Sequence, residues 1–477
     1  MVTLAVVTAL VLYTLSRYRG AILGFFFLDD FWVMRDAARV HVRSVWDLAQ
    51  FFRPGHAGFQ LYRPLSTVVY YHLLHRLFAY DSSGYHAFHL LAFTVNVLLV
   101  FAITRRLTQS TSAAFAVGLL YAAVPGQAVG AYWLAAFTVT GTAFAVLLIM
   151  WCWLSLESVW RVTACTLLQM VALLFSEHAV AAPILLAIMA SSVYREPWRQ
   201  AARALAPSGV IVGAYLVGKL WYFTRVQPVW GAYALTLDVR TWLQHLGQYA
   251  VACVNALTLL NLRESTCLWI GASLVVLFLF AAWRSYRGGE PWSYMAAGIA
   301  VFVVSLAPVF PLRTHYKDHY VSVAALGMGL LVLGLCQLVS RYWRWLALAL
   351  ALVVVLLDAQ TQGRAWRQNQ IWQLVVNGSQ TTAQWVGAVQ HAAAQSAGSV
   401  EVLVPHDPMA NWIFAIGQAE TFFPSMPARV TFFDRQRPPQ PREGQVVVRG
   451  PSGFRRGQPL PGWDARWDWL RRLAGGS

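Results

Sequence analysis

A chain of 477 residues that is 58% hydrophobic and only 12% charged cannot be solvated as a globule, because an average soluble domain carries about 25% charged residues. Its formal charge of +16 would point to nucleic acid in a soluble protein. Here many arginines stand in short loops between apolar runs, where they set orientation and meet anionic lipid, so nucleic acid is not expected as a partner. The runs have continuous Leu/Val/Ala character without strict alternation, which excludes a transmembrane barrel and leaves a polytopic helical membrane protein.

In chain order, Val2 to Ser16 comes first. No basic residues precede it and no small-residue cleavage site follows, so it reads as a first membrane helix and not a signal peptide. The polar and aromatic loop that follows, residues 17–85, is far longer than the other connections in this half, and long loops usually carry function. Within it Phe31 to Val40 and Leu65 to Phe78 are amphipathic and are predicted to lie on the membrane surface. Further spans are predicted at 86–104, 112–125, 130–155, 162–175, 179–194, 204–224, 267–282, 292–311, 320–338 and 346–358, about eleven in all.

The segment 243–262 is ambiguous. If the first loop is outside and 243–262 does not cross, every short basic loop lies inside: Arg105 and Arg106, Arg161, Arg195 with Arg199 and Arg203, Arg284 with Arg287, and Arg341 with Arg344. Charge bias therefore favours that topology. The predicted division is a transmembrane domain over 1–358 and an external soluble region over 359–477. The latter has a helix-like stretch near Thr381 to Ala394 and β-type runs at Val400 to Val404, Ala428 to Phe433 and Gln445 to Val448. With turns such as Arg437-Pro438-Pro439, it reads as a small α/β domain.

This topology collects the unusual polar residues on the outer side. Asp29-Asp30 follows Phe25-Phe26-Phe27-Leu28; mutual repulsion and a membrane boundary would raise one carboxyl toward a value useful for a general base. The alternative is that Asp30 caps the next helix while Asp29 points to water. Glu177 and His178 stand at a turn between apolar spans, and Arg313, His315, Lys317 and His319 crowd the start of a later one. These donors suit a lipid phosphate, or else a solvated interfacial belt. Arg63, in Tyr62-Arg63-Pro64-Leu65, is a further phosphate candidate.

The pairs His72/His75 and His86/His89 are spaced to share a helical face, but lack a nearby Cys or carboxylate at ligand spacing for a metal. Asn377-Gly378-Ser379 fits a glycosylation sequon. Cys152, Cys165, Cys253, Cys267 and Cys336 all fall in apolar segments and read as small core hydrophobes.

The order of these pieces resembles the GT-C superfamily of multi-pass glycosyltransferases that use lipid-phosphate sugars. Phe27-Leu28-Asp29-Asp30, Tyr62-Arg63-Pro64-Leu65-Ser66 and Gly84-Tyr85-His86 come in sequence. Ala122 to Trp133, with Pro125 and Val129, is similar to the third-to-fourth helix turn of the membrane O-mannosyltransferases that carry tetratricopeptide repeats. Leu174 to His178 followed by Pro183 is similar to their Lys-Glu turn, and Arg313 to Gly327 to their Arg-Tyr-x-Tyr-x-Pro helix start. Trp366-Arg367 with Trp372 lies where they carry a Trp after the last helix. The likeness covers residues 1 to about 375. Gln127 stands near their third-turn His, Ser176 replaces the Lys before Glu177, and the C-terminal region replaces the repeats, which leaves a mannosyl donor and a protein acceptor open.

The resemblance implies a GT-C-like fold in a cell membrane, the inner one if the source is a bacterium. It implies a polyprenyl-phosphate sugar donor embedded among membrane lipids, a glycan, lipid or protein acceptor, and an outer-loop aspartate, Asp29 or Asp30, as base. Arg63, Arg313 and Lys317 would stabilise the phosphate leaving group. Some members place a divalent metal at the acidic motif and others do not, so no cofactor is assigned. Two other readings remain: a flippase or transporter of lipid-linked saccharides, which should show midplane charges or paired broken helices, and a non-catalytic assembly protein.

Overall fold

The structure is a computed structural model, and it describes residues 2–38, 40–42, 44–52, 62–192, 196–225, 235–254, 263–287, 290–312, 318–368, 370–394, 401–405, 410, 413–414, 429–433 and 445–447. Helices dominate it. The first part holds α1 (Val2–Tyr18), α2 (Asp29–Ala38), α3 (Tyr70–Phe78), α4 (Ser82–Thr108), α5 (Thr111–Ala123), α6 (Gly126–Tyr132), α7 (Phe137–Ser155) and α8 (Ser158–Phe175). Then come α9 (Ala182–Ser192), α10 (Trp198–Arg225), α11 (Val239–Val254), α12 (Glu264–Tyr286), α13 (Glu290–Leu306), α14 (Val321–Val339), α15 (Trp343–Gln368) and α16 (Gln370–Ala394).

Among the described residues seven helices are long and apolar enough to cross a membrane, or eight if the bent pair α5 and α6 is one span. The chain is thus a multi-pass membrane protein. The shorter apolar helices Glu177–Ser191 and Pro291–Leu306 fall below that length, so the eleven predicted spans exceed the seven or eight that meet this test. The predicted single run 112–125 ends where Pro125 opens α6, bent by 67° from α5. A proline that cannot donate to the preceding turn accounts for the break.

Of the ambiguous segment, 243–254 lies on α11 and 255–262 falls outside the described residues; α11 packs along the early part of α12 through two glycines. A Cβ on Gly247 would lie 1.8 Å from the Cys267 carbonyl oxygen, and one on Gly271 would lie 1.9 Å from that of Leu243. At the other end of α12, Ser285 and Ser293 share a hydrogen bond of 3.0 Å, so α12 and α13 form a hairpin there. His245 Nδ1 sits 3.3 Å from the Phe310 carbonyl oxygen, and Leu235 bridges Leu312. These contacts hold α11 at the α13 to α14 connection.

Helices α1 and α15 are joined by a buried ion pair, Arg17 with Asp358. Arg17 also donates to the Ala123 carbonyl (3.1 Å) and Tyr13 to Asp358 (3.4 Å). Burial without such partners would cost several kcal/mol per charge, roughly. All five cysteines are free and buried, as expected of core hydrophobes.

After α15 the chain turns into α16 and three short parallel strands, β1 (Glu401–Pro405), β2 (Arg429–Phe433) and β3 (Gln445–Val447), in the order β2-β1-β3. The β-type runs expected from the sequence are these strands. Trp385, Val386 and Val389 of α16 and Val402 and Val404 of β1 share one apolar cluster with Phe25, Phe26, Phe31, Trp32, Tyr71 and Tyr85. Consequently α2 is not a surface helix as its amphipathic pattern predicted: Phe31, Trp32, Val33, Met34 and Ala37 are all buried. In α3, by contrast, Leu73 and Leu77 are exposed while His72 is buried. Ser379 is buried and bonded to Phe25, and the Asn377-Gly378-Ser379 triplet lies on α16.

Candidate functional site

The acidic pair begins α2 after a tight turn. Leu28 has φ of 44°, a conformation that costs a bulky non-glycine residue about 1–3 kcal/mol and persists only where the surroundings fix it. Asp30 supplies part of that fixation. Its carboxylate turns back and accepts the Phe27 N–H at 2.7 Å, and its other oxygen accepts the Tyr71 hydroxyl at 2.6 Å. It therefore braces the preceding turn and does not act as the helix cap that its position in sequence allowed.

Asp30 is fully buried. Burial pushes its carboxyl up to about 7; the bonds from Tyr71 and Phe27 oppose that rise, and neighbouring Asp29 adds to it. Burial, and then the nearby Asp30, hold the Tyr71 phenol well above its ordinary range, so it stays a donor. Asp29 is half-buried at the tip of the turn.

Arg63 stands two positions before a short π-helical turn, Leu65–Val69, with Pro64 between them. Its guanidinium grips Glu177 with Nε 2.9 Å from Oε2 and a second bond from Nη2 to Oε1. This is the planar two-point geometry that favours arginine over lysine. Lys219, from α10, reaches Glu177 Oε2 at 3.4 Å and the Tyr215 hydroxyl at 3.3 Å. Two cations thus share one carboxylate. Ser66 ties the same turn to α8 by donating to the Phe175 carbonyl at 2.7 Å.

Aromatic contacts complete a circuit. The Phe27 ring lies 6.3 Å from Trp133, Trp133 lies 6.0 Å from His319, His319 lies 4.9 Å from Tyr320, and Tyr320 lies 4.8 Å from His178. His178 adjoins Glu177, Glu177 holds Arg63, and the turn after Arg63 packs on α2. Asp29, Asp30, Arg63, Glu177, His178 and His319 are therefore brought to one end of the bundle. Gln127, which stands near the family's histidine, accepts from Ser322 at 2.9 Å beside this circuit. His178, Tyr320, Ser305 and Ser322 line the polar end of a crevice whose walls include Val139, Val146 and Leu185. Arg313, His315 and Lys317 lie outside the described residues, a few positions before His319.

The metal fit is poor. Both Asp30 oxygens are occupied by protein donors, and among the described residues no three His, Cys, Asp or Glu side chains converge. The paired histidines go elsewhere: His72 and His75 each meet a backbone carbonyl, and His89 lies 2.8 Å from the Thr140 hydroxyl. Lys219 and Tyr71 went unnoticed in the sequence, and Ser379 was read only as part of a sequon. Lys219 had a signal, since it is one of only two lysines in the chain and stands inside an apolar span, where ionisable residues are rare.

No protein-family model matches the chain, and no curated protein does. Among solved structures it is similar to the apo oligosaccharyltransferase of Archaeoglobus fulgidus, with 12% identity and a TM-score of 0.47 over 87% of this chain and 64% of that one. It is also similar to ArnT from Cupriavidus metallidurans bound to undecaprenyl phosphate, with 13% identity and a TM-score of 0.45 over 90% and 89% of the two chains. The archaeal enzyme AglB in complex with an inhibitory peptide and a dolichol-phosphate gives 13% identity and 0.46 over 87% and 63%. The chain thus spans just under two thirds of the archaeal chains.

Proposed function

We propose that this chain is a GT-C-type glycosyltransferase that moves a sugar from a polyprenyl-phosphate donor to an acceptor on the outer face of the membrane, with Asp29 as base. The observation that carries this reading is the circuit that joins a half-buried carboxylate to a cationic pair at one end of a membrane bundle. A base there meets a water-borne hydroxyl while the donor's tail stays in hydrocarbon. Asp29 would take the acceptor proton as the hydroxyl oxygen attacks the anomeric carbon, and the sugar–phosphate bond would break with inversion. Arg63 and Lys219, with Arg313 and Lys317, would balance the charge on the departing lipid phosphate.

Asp30 is less suited to that role, because both of its oxygens are engaged and it is fully buried. Eleven crossings with the C-terminal region outside form part of the proposal. The Arg17–Asp358 pair supports it, since the C-terminal end of α1 meets the end of the predicted span 346–358, which fits an odd number of crossings from α1 through α15. The packing of α16 and β1 on first-loop residues supports a shared side.

The test is transfer from a radiolabelled polyprenyl-phosphate sugar by Asp29→Asn. The expected loss is about 10²- to 10⁴-fold, the usual worth of a positioned base, with the thermal midpoint in detergent kept. Full activity in Asp29→Asn would remove the assignment of the base.

A further inference from the structure

We propose that α16 is the positioning element of the acidic turn, with Ser379 as a positioning residue that sets where Asp29 points. The inference rests on the reading of Asp29 as base. It begins from the strain at Leu28, whose φ of 44° needs external restraint to persist. Asp30 restrains the turn from the helix side through Phe27 N–H. From the other side the restraint comes from a helix more than 350 positions away in the sequence. The Ser379 hydroxyl oxygen lies 2.6 Å from Phe25 N as acceptor and 3.1 Å from the Phe25 carbonyl oxygen as donor. One side chain therefore pins both polar groups of a single backbone residue.

The residue before Ser379 adds a steric restraint. A Cβ on Gly378 would fall 2.1 Å from Cε2 of Phe27, so the ring lies directly on the helix backbone. Phe25 and Phe27 are thus both held by α16, and Leu28 and Asp29 follow with little freedom. Simple packing would not require a buried hydroxyl. A serine at this place matches the backbone of the turn and fixes its path, which is what the orientation of a neighbouring catalytic group demands. On this reading the C-terminal region completes the catalytic turn, and the membrane domain alone would hold it only from the Asp30 side.

The experiment is steady-state transfer by the full-length protein in detergent, with kcat, donor KM and thermal midpoint measured for Ser379→Ala, and with Asp29→Asn as control. Misplacement by about 1 Å can cost about 10²-fold, so Ser379→Ala is expected to lower kcat by about 10- to 100-fold. Donor KM should stay within about twofold, the pattern of a lost transition-state interaction. Retained kcat in Ser379→Ala, while Asp29→Asn is inactive, would overturn the positioning role and leave the base in place. Full activity in Asp29→Asn would instead overturn the base, and this inference with it. If Ser379→Ala fails to fold, Gly378→Ala, which keeps the hydroxyl and displaces the Phe27 ring, is judged by the same two outcomes. Loss of folding in both would assign the contact to stability and end the proposal.

Discussion

Replacing Asp30 with asparagine should change how the stability of this protein depends on pH. A carboxyl raised to about 7 from the ordinary 3.8 binds its proton more tightly in the folded state than in the unfolded one. Between those two values the folded state holds more protons, so stability falls as pH rises through that window. At about 1.4 kcal/mol per pH unit the full penalty is on the order of 4 kcal/mol, complete above pH 7 and absent below pH 3.8. The asparagine side chain cannot ionise and carries none of it. In return its amide nitrogen meets one of the two donors, Phe27 N–H or the Tyr71 hydroxyl, at a pH-independent cost of about 1–3 kcal/mol.

The assay is the thermal midpoint of both proteins in detergent from pH 4 to pH 9. Every other titrating group is common to the two, so the difference between the curves isolates Asp30. The wild type should be the more stable at pH 4, and Asp30→Asn should gain on it by a few degrees by pH 8. Each kcal/mol is worth about 2–4 °C in domains of 150–250 residues and less in longer chains. Parallel curves across the range would refute the reasoning, since Asp30 would then titrate alike in both states.

Removing one member of the Arg17–Asp358 pair, as in Asp358→Ala, should cost about 3–5 kcal/mol by leaving a buried charge uncompensated; Arg17→Met with Asp358→Leu should recover most of the thermal midpoint. Arg63→Ala, Arg313→Ala or Lys317→Ala should weaken binding of a polyprenyl-phosphate donor while the fold is kept, and unchanged affinity in all three would move the phosphate elsewhere. A cysteine introduced at Ser396 should react with an impermeant thiol reagent in intact cells; labelling only after lysis would reverse the topology. Gly247→Ala should destabilise by about 1–3 kcal/mol or more through overpacking, because its Cβ would meet backbone at 1.8 Å, and a retained midpoint would argue against the close pairing of α11 and α12.

The membrane class was plain from the sequence because hydrocarbon filters composition: runs such as 86–104 and 320–338 admit almost no charge, and helices Ser82–Thr108 and Val321–Val339 stand there. Element ends were less plain. The burial of α2 was missed because an amphipathic pattern reports that a helix has an apolar face, not what will cover the other one; here α16 and β1 cover it. The acidic pair was visible as a motif, but its division of labour was not. Adjacent carboxylates look alike in a string, and only the turn at Leu28 sends Asp30 inward to Tyr71.

The cationic side of the site shows why spacing alone could not supply it. Glu177 meets an arginine 114 positions earlier and a lysine 42 positions later, so no local pattern records the cluster. Ser176 stands where the family resemblance leads one to expect a lysine, and read along the chain this is a lost cation. In space a cation is still there, because Lys219 arrives from α10 at the same carboxylate. With two cations on one carboxylate, the cluster carries a surplus positive charge at the end of the bundle where Asp29 lies. On the proposed mechanism that surplus would balance a departing phosphate, and it survives the substitution in the motif because electrostatics depends on distance between groups and not on their order in the chain.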